Sequence, residues 1–313
     1  MSMTFGIHIG HIGGPLAETR KLWTFADTRG FDWFSTSDHF QESPPQGGDI
    51  DCFECFTMLT AAAVETTRVR LGTLVSCINY RNPGLLAKIF TSIDHLSNGR
   101  ADCGIGAGWH KGEYTAFGIP FEGIGVREDQ LEEYARILRL LFDEKRSSFA
   151  GKHFTLDNAP NYPKPIQRRL PLWIGGGGEK RTLRAVARYA DGWNAPYWGP
   201  DQWTAKSVIL DQWCEKEHRD PRSIARTANV GFYMGADAAG AARGEKIWQS
   251  HYGNDPRPRT GWVRGTPKDA IELVARYRED GCQRVNIAFR QGPYDWEALD
   301  AFAREVIPAF APR

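Results

Sequence analysis

Short apolar segments of strand character alternate with amphipathic helical segments eight times along the 313 residues, and that alternation leaves the chain few architectures. FGIHIG, from Phe5, is the first strand, and Leu16 to Thr28 the first helix, with Leu22, Trp23 and Ala26 on one face. FDWFSTSDHF holds the second strand and its exit loop, and Phe56 to Glu65 reads as the next helix. VRLGTLVSCINY is the third strand, followed by a helix from Leu85 to Leu96 and a turn at Ser97 to Arg100. ADCGIGAGWH precedes a long amphipathic helix from Glu128 to Phe142. The fifth unit is PLWIGGGGEKRTLRAVARY, and DGWNA from Asp191 supplies a short sixth strand before the helix Trp203 to Glu217. RTANVGFYMG is the seventh strand. A helix from Pro267 to Asp280, the eighth strand RVNIAF and a last helix from Trp296 to Val306 complete the series.

Strands this apolar bury both faces, so they belong in a parallel sheet covered by helices. Eight units fit a closed (β/α)8 TIM barrel better than an open doubly wound sheet. Three stretches exceed ordinary loop length: His110 to Arg127, the proline-rich Phe149 to Arg169, and Ala236 to Arg264. They are expected as insertions at the C-terminal face of the strands, where long loops act as lids or binding elements. With no repeat and no linker, residues 1–313 read as a single domain.

A formal net charge of +1, without a basic stripe, argues against nucleic acid as a partner and for a small-molecule substrate. There is no apolar run of membrane-spanning length and no leader pattern, so no membrane association and a cytoplasmic location are expected. The six cysteines sit mostly among apolar neighbours, as reduced buried thiols do. Cys52 and Cys55 form a lone CxxC without the strand-to-helix context of a redox motif, and packing explains it better. His8 and His11 lack further ligands at useful spacing, so no metal site is expected.

The run Gly175 to Gly178 stands where a strand, Leu172 to Ile174, hands over to a helix carrying Leu183, Val186, Ala187 and Ala190 on one face. The first amides of a helix have no internal acceptor and its dipole is positive there, which suits a phosphate. Glycines let the anion approach the main chain, and Arg181 could add a charged donor. A tight turn with no ligand is the competing reading. In a barrel the ligand lies at the carboxyl ends of the strands, here His8 to Gly10, Asp38 and His39, Ser76, Cys77 and Asn79, Gly106 to Trp109, Gly175 to Gly178, Asn194 and Phe289. Glycine-rich ends, aromatic neighbours and an Asp-His pair suggest a cradle for a flat, phosphate-bearing cofactor. The chain has no GxSxG, no HExxH and no paired carboxylates at strand ends.

SDHF, GTLVSCINYRNPGLLAK, GIGAGWHKGEYTAFGIPF with Arg127, the glycine unit and the late GTPKDAIELVARYREDG together resemble the luciferase-like monooxygenase superfamily, in its coenzyme F420-dependent oxidoreductase branch. The resemblance spans nearly the whole chain. It implies a barrel that binds F420, or alternatively FMN, often as a homodimer, with hydride transfer as the elementary step.

The resemblance also implies roles. Asp38 and His39 match the strand-2 motif, and His39 is the first candidate for general acid/base or charge stabiliser, against a merely orienting histidine. Ser76 and Cys77 fall where the family carries a non-prolyl cis peptide whose bulge supports the cofactor ring. Gly106 and Gly108 match the GxG that lets the backbone lie near the ring, and Asn79 is placed toward its edge. Trp109 and Glu113 follow where cofactor and substrate contacts cluster; packing for Trp109, and a solvated or hydrogen-bonding role for Glu113, are the alternatives to contact and acid catalysis. Gly176, Gly177 and Gly178, with Arg181, match the phosphate loop. An FMN member would accept reduced flavin from a partner reductase and activate oxygen, whereas a deazaflavin serves as a two-electron carrier. Outside oxidoreductases, a cofactor-binding barrel without turnover and a phosphate-binding isomerase or lyase on the same fold remain compatible with the residues.

Overall fold

Among the described residues the strand signals become twelve strands: β1 (Thr4–Ile9), β2 (Trp33–Thr36), β3 (Arg70–Thr73), β4 (Ser76–Cys77), β5 (Ala101–Gly106), β6 (Arg146–Ala150), β7 (Thr155–Pro160), β8 (Leu172–Gly175), β9 (Gly192–Pro196), β10 (Ala225–Met234), β11 (Trp262–Gly265) and β12 (Arg284–Phe289). They are seen in a computed structural model that describes residues 3–9, 14–42, 48–253, 260–290 and 292–311. Parallel pairing runs β1, β2, β3, β5, β8, β9, β10, β12 and returns to β1, which closes an eight-stranded (β/α)8 barrel. Gly10 and His11 lie outside the described residues.

The alternation within each strand separates two cores. Outward residues such as Ile7, Phe34, Leu71, Cys103, Ile174 and Val285 are fully buried between barrel and helices. Inside, Trp33, Leu74 and Trp173 form a separate cluster. The Arg284 guanidinium lies 3.8 Å and 4.4 Å from the centres of the Trp33 and Trp173 rings, a cation over two aromatic faces. Burial, opposed by the nearby Asp102, pushes Arg284 down to about 10. Gly72 and Gly192 provide the room: a Cβ at either would strike Trp33 or Trp173 within 2.5 Å.

Local signals fix the helix starts. Asn82 accepts from the Gly84 amide at 2.8 Å and Pro83 opens the helix Pro83–Leu96, while Thr266 and Asp269 form a capping box at Pro267–Glu279. The helix Ile124–Asp143 begins four residues before the sequence pattern predicts.

Each long stretch has structure of its own. His110 to Arg127 contains the helix Lys111–Ala116, and Ala236 to Arg264 contains the helix Ala238–Tyr252 and β11, which pairs with the outer half of β10. Both lie at the carboxyl ends of the strands. The third does not, which corrects the expectation for Phe149 to Arg169. It follows a helix and leads into a strand, so connectivity puts it at the amino ends, where β6 and β7 form an antiparallel hairpin and Gln167 bonds Asp94, Arg70 and the Ala101 carbonyl.

Candidate active site

At the end of β2 the chain turns so that His39 meets Glu113 on the helix Lys111–Ala116. Nδ1 of His39 lies 2.9 Å from Oε2 and 3.1 Å from Oε1 of the carboxylate. Glu113 is fully buried and accepts three further bonds: from the Phe40 amide at 2.7 Å, the Gln41 amide at 3.2 Å and the Tyr80 hydroxyl at 2.8 Å. Burial works against its ionisation, but the bonds from His39, the His39 charge, Tyr80 and Phe40 outweigh it and hold the carboxyl below its ordinary range. An ionised carboxylate only accepts, so Nδ1 of His39 carries the proton and any proton exchange by this ring runs through Nε2. Glu113 is therefore not a solvated residue. Trp109, 58% exposed, stands over the pair with its ring 5.6 Å from that of His39.

Asp38 is buried, and one of its carboxylate oxygens accepts from the Cys77 amide at 3.1 Å and from Arg81 at 2.6 Å, which ties the end of β2 to the segment after β3. Burial raises this carboxyl, against the pull of Arg81.

Between β3 and β4 the chain bulges, and the non-prolyl cis peptide lies at Leu74–Val75, two residues before the Ser76–Cys77 position expected for it. A Cβ at Gly106 or Gly175 would stand 2.5 Å or 2.8 Å from a Val75 methyl. These two glycines thus let Val75 seat itself across the ends of β5 and β8. Ser76 is buried on Thr73 at 2.8 Å. Cys77 Sγ lies 2.9 Å from the Tyr114 hydroxyl, and burial pushes the thiol up to about 11. Asn79 accepts from Tyr114 at 3.0 Å and donates to Gln130 at 2.8 Å, so both ends of its amide are engaged by protein. Gly108 adopts a positive φ, with the Tyr114 hydroxyl where its Cβ would be, and Arg127 clasps the Ala107 and Gly108 carbonyls.

The glycine loop lies beside this bulge. Gly176, at φ +113°, donates to the Asn194 carbonyl at 3.2 Å. The half-buried Gly177 and Gly178 make no amide hydrogen bond to any described residue, and the helix Thr182–Tyr189 starts just beyond them. Their side-chain directions are filled: a Cβ at Gly177 would stand 1.8 Å from the Trp198 ring, and one at Gly178 would stand 2.3 Å from Glu128 and 2.7 Å from Thr182. Arg181 is bonded to Asp129 at 2.9 Å and to the Gly125 carbonyl at 2.5 Å, so it braces the loop against the helix Ile124–Asp143.

His39, Glu113, Trp109, Gly106, Gly108, Gly176, Gly177 and Gly178 thus all lie at the carboxyl ends of β2, β5 and β8, while the side chains of Asp38, Ser76, Cys77, Asn79 and Arg181 bond within the protein. Val75 and Tyr80 carry no signal in the sequence, whereas Trp198 stands with Tyr197 among the aromatic residues after the sixth strand that suggest an apolar pocket. His8, 2% exposed, faces Ser35 with Nδ1 at 3.0 Å, and burial together with the His39 charge pushes it down to about 3, so it is neutral here. Among the described residues no group of three or more His, Cys, Asp or Glu could hold a metal, and no helix is long and apolar enough to cross a membrane.

The family model for luciferase-like monooxygenases matches residues 2–255. An uncharacterised protein of Mycobacterium tuberculosis is 31% identical over 182 residues, 54% of this chain, and the match spans 64% of that relative's length. An F420-dependent glucose-6-phosphate dehydrogenase of Kineococcus radiotolerans is 31% identical over 252 residues, covering 80% of this chain and 72% of its own. Among solved structures, an F420-dependent secondary alcohol dehydrogenase in complex with an F420-acetone adduct superposes with a TM-score of 0.85 over the full length of both chains at 22% identity, which establishes the shared fold.

Proposed function

The chain belongs to the luciferase-like monooxygenase family, and from that premise we propose that it is an F420-dependent oxidoreductase acting on a small organic substrate. The observation that supports the proposal is the His39–Glu113 pair after β2, at the same end of the barrel as Gly177 and Gly178 after β8, whose amides bond no described residue. The names of the dehydrogenase relatives support F420 over FMN.

The residues present fit such a cofactor. Val75 and the backbone of Gly106 to Gly108 form a side-chain-poor surface for a flat ring, and the Gly177 and Gly178 amides at a helix start suit its phosphate. When bound, the deazaflavin supplies two-electron hydride chemistry. The protein's part is to place the substrate oxygen against His39 Nε2, exchange its proton there, and stabilise the imidazolium through Glu113. Trp109 narrows the mouth and limits water. A homodimer, checked by sedimentation, belongs to the same proposal, and a partner flavin or F420 reductase belongs to the reverse direction, in which the enzyme consumes reduced cofactor; reconstitution checks it.

The test is isotopic. With F420 bound, a panel of secondary alcohols labelled with deuterium at the carbinol carbon is expected to deliver one deuterium to the reduced cofactor. Label arriving only from solvent, or oxygen uptake with FMN in place of alcohol oxidation, overturns it.

A further inference from the structure

Glu113 has four donors, and three of them come from the turn that follows β2. The fourth, the Tyr80 hydroxyl, arrives from a different element, the segment that leaves the bulge between β3 and β4. Its ring is fixed on both sides: it stacks on Phe40 with centres 4.5 Å apart and an angle of 25°, and meets Tyr114 at 5.2 Å. The Tyr80 amide turns back onto the Cys77 carbonyl at 3.2 Å. The hydroxyl thus has little freedom to seek another acceptor, and the bond runs to Oε2, the oxygen nearest His39 Nδ1.

We infer that Tyr80 is a positioning residue for the His39–Glu113 pair: its O–H fills the last acceptor site of the carboxylate and ties the pair to the bulge that carries Val75 and Cys77. The inference rests on the proposed acid/base use of His39, but the contact itself is independent of any cofactor. A packing role for Tyr80 needs only its ring. A positioning role needs the hydroxyl, because a charge-assisted bond to Oε2 stabilises the ionised Glu113 and fixes the oxygen that receives His39 Nδ1. Loss of that bond lets the carboxyl take up a proton at higher pH and frees the oxygen that aligns His39. The titratable groups around the carboxylate are His39 after β2, Tyr80 and Cys77 from the bulge segment, and Tyr114 beside it on the same helix, which also senses Arg127.

The experiment is a pH titration of the Glu113 side-chain carboxyl by carbon-13 NMR in the ligand-free protein, with the nitrogen-15 shifts of His39 followed in parallel. In Tyr80→Phe the Glu113 midpoint is expected to rise by about one pH unit, tenfold in proton affinity. In the loaded enzyme the acidic limb of kcat moves the same way while KM holds. Should Tyr80→Phe fail to fold, 3-fluorotyrosine placed at position 80 supplies a stronger donor and is expected to lower the midpoint. A Glu113 titration unchanged in both variants, or lowered activity without that shift, overturns the inference. Failure of F420 to bind leaves the titration as informative as before.

Discussion

The indole of Trp198 lies against Gly177 so closely that a Cβ at that position would stand 1.8 Å from the ring. A glycine is required here by a neighbour as well as by any ligand. The substitution Gly177→Ala must displace Trp198 or the loop, costing about 1 to 3 kcal/mol of stability as overpacking. Because the amides of Gly177 and Gly178 would move with it, F420 affinity is expected to fall at least about tenfold, or 1.4 kcal/mol. Trp198→Ala, which empties the space, is expected to restore most of the stability of the double variant. Thermal melts and cofactor titration read both effects.

Replacing His39 with Gln removes the exchanging nitrogen while keeping a polar side chain. The expected outcome is a fall in kcat of about 10²- to 10⁴-fold with cofactor affinity nearly unchanged. Glu113→Gln should act through His39. Its carbonyl can still receive the Phe40 and Gln41 amides, but its NH2 then faces Tyr80 and His39 and favours the opposite imidazole tautomer. Nitrogen-15 shifts separate the two roles: His39→Gln removes the imidazole signals, whereas Glu113→Gln keeps them and changes the tautomer they report.

Acid stability should reflect His8. Its pKa is lowered from 6.5 to about 3 by burial and by the His39 charge. The unfolded chain therefore binds a proton that the folded one refuses, so stability is full above about pH 6.5 and falls with acidification toward pH 3, at up to about 1.4 kcal/mol per pH unit. Glu113 adds to this at the acid end: its folded pKa is depressed, so its contribution is present above its ordinary value and lost as pH falls through the lowered one. Denaturant titrations of wild type and His8→Asn over that range check the slope, which is expected to flatten in the variant.

Much of the fold is legible because the barrel strands are short, buried and mostly apolar, as in LWI of β8 and VNIAF of β12, and helices alternate with them. The hairpin β6–β7 escapes that logic. RSSFA and TLDNAP pair at an exposed edge with little burial and few apolar residues, so they read as a loop. The mouth is legible in part. Glycine at 106, 108 and 176–178 marks close approach, yet sequence cannot tell whether a ligand or a neighbour makes that approach, and for Gly108 and Gly177 the protein supplies Tyr114 and Trp198. His39 and Glu113 could be named singly, but their contact joins positions 74 residues apart, and the third member, Tyr80, is an ordinary aromatic until the bulge brings it to the carboxylate. Asp38, adjacent in sequence to His39, bonds Arg81 and the Cys77 amide, a pairing that the sequence does not announce.

The most direct check is an equilibrium titration of the purified protein with F420 and, separately, with FMN, followed by fluorescence. The account predicts saturable binding of F420, one per chain, that FMN does not displace and that Gly177→Ala weakens. Tight binding of FMN with none of F420, or no binding of either, contradicts it.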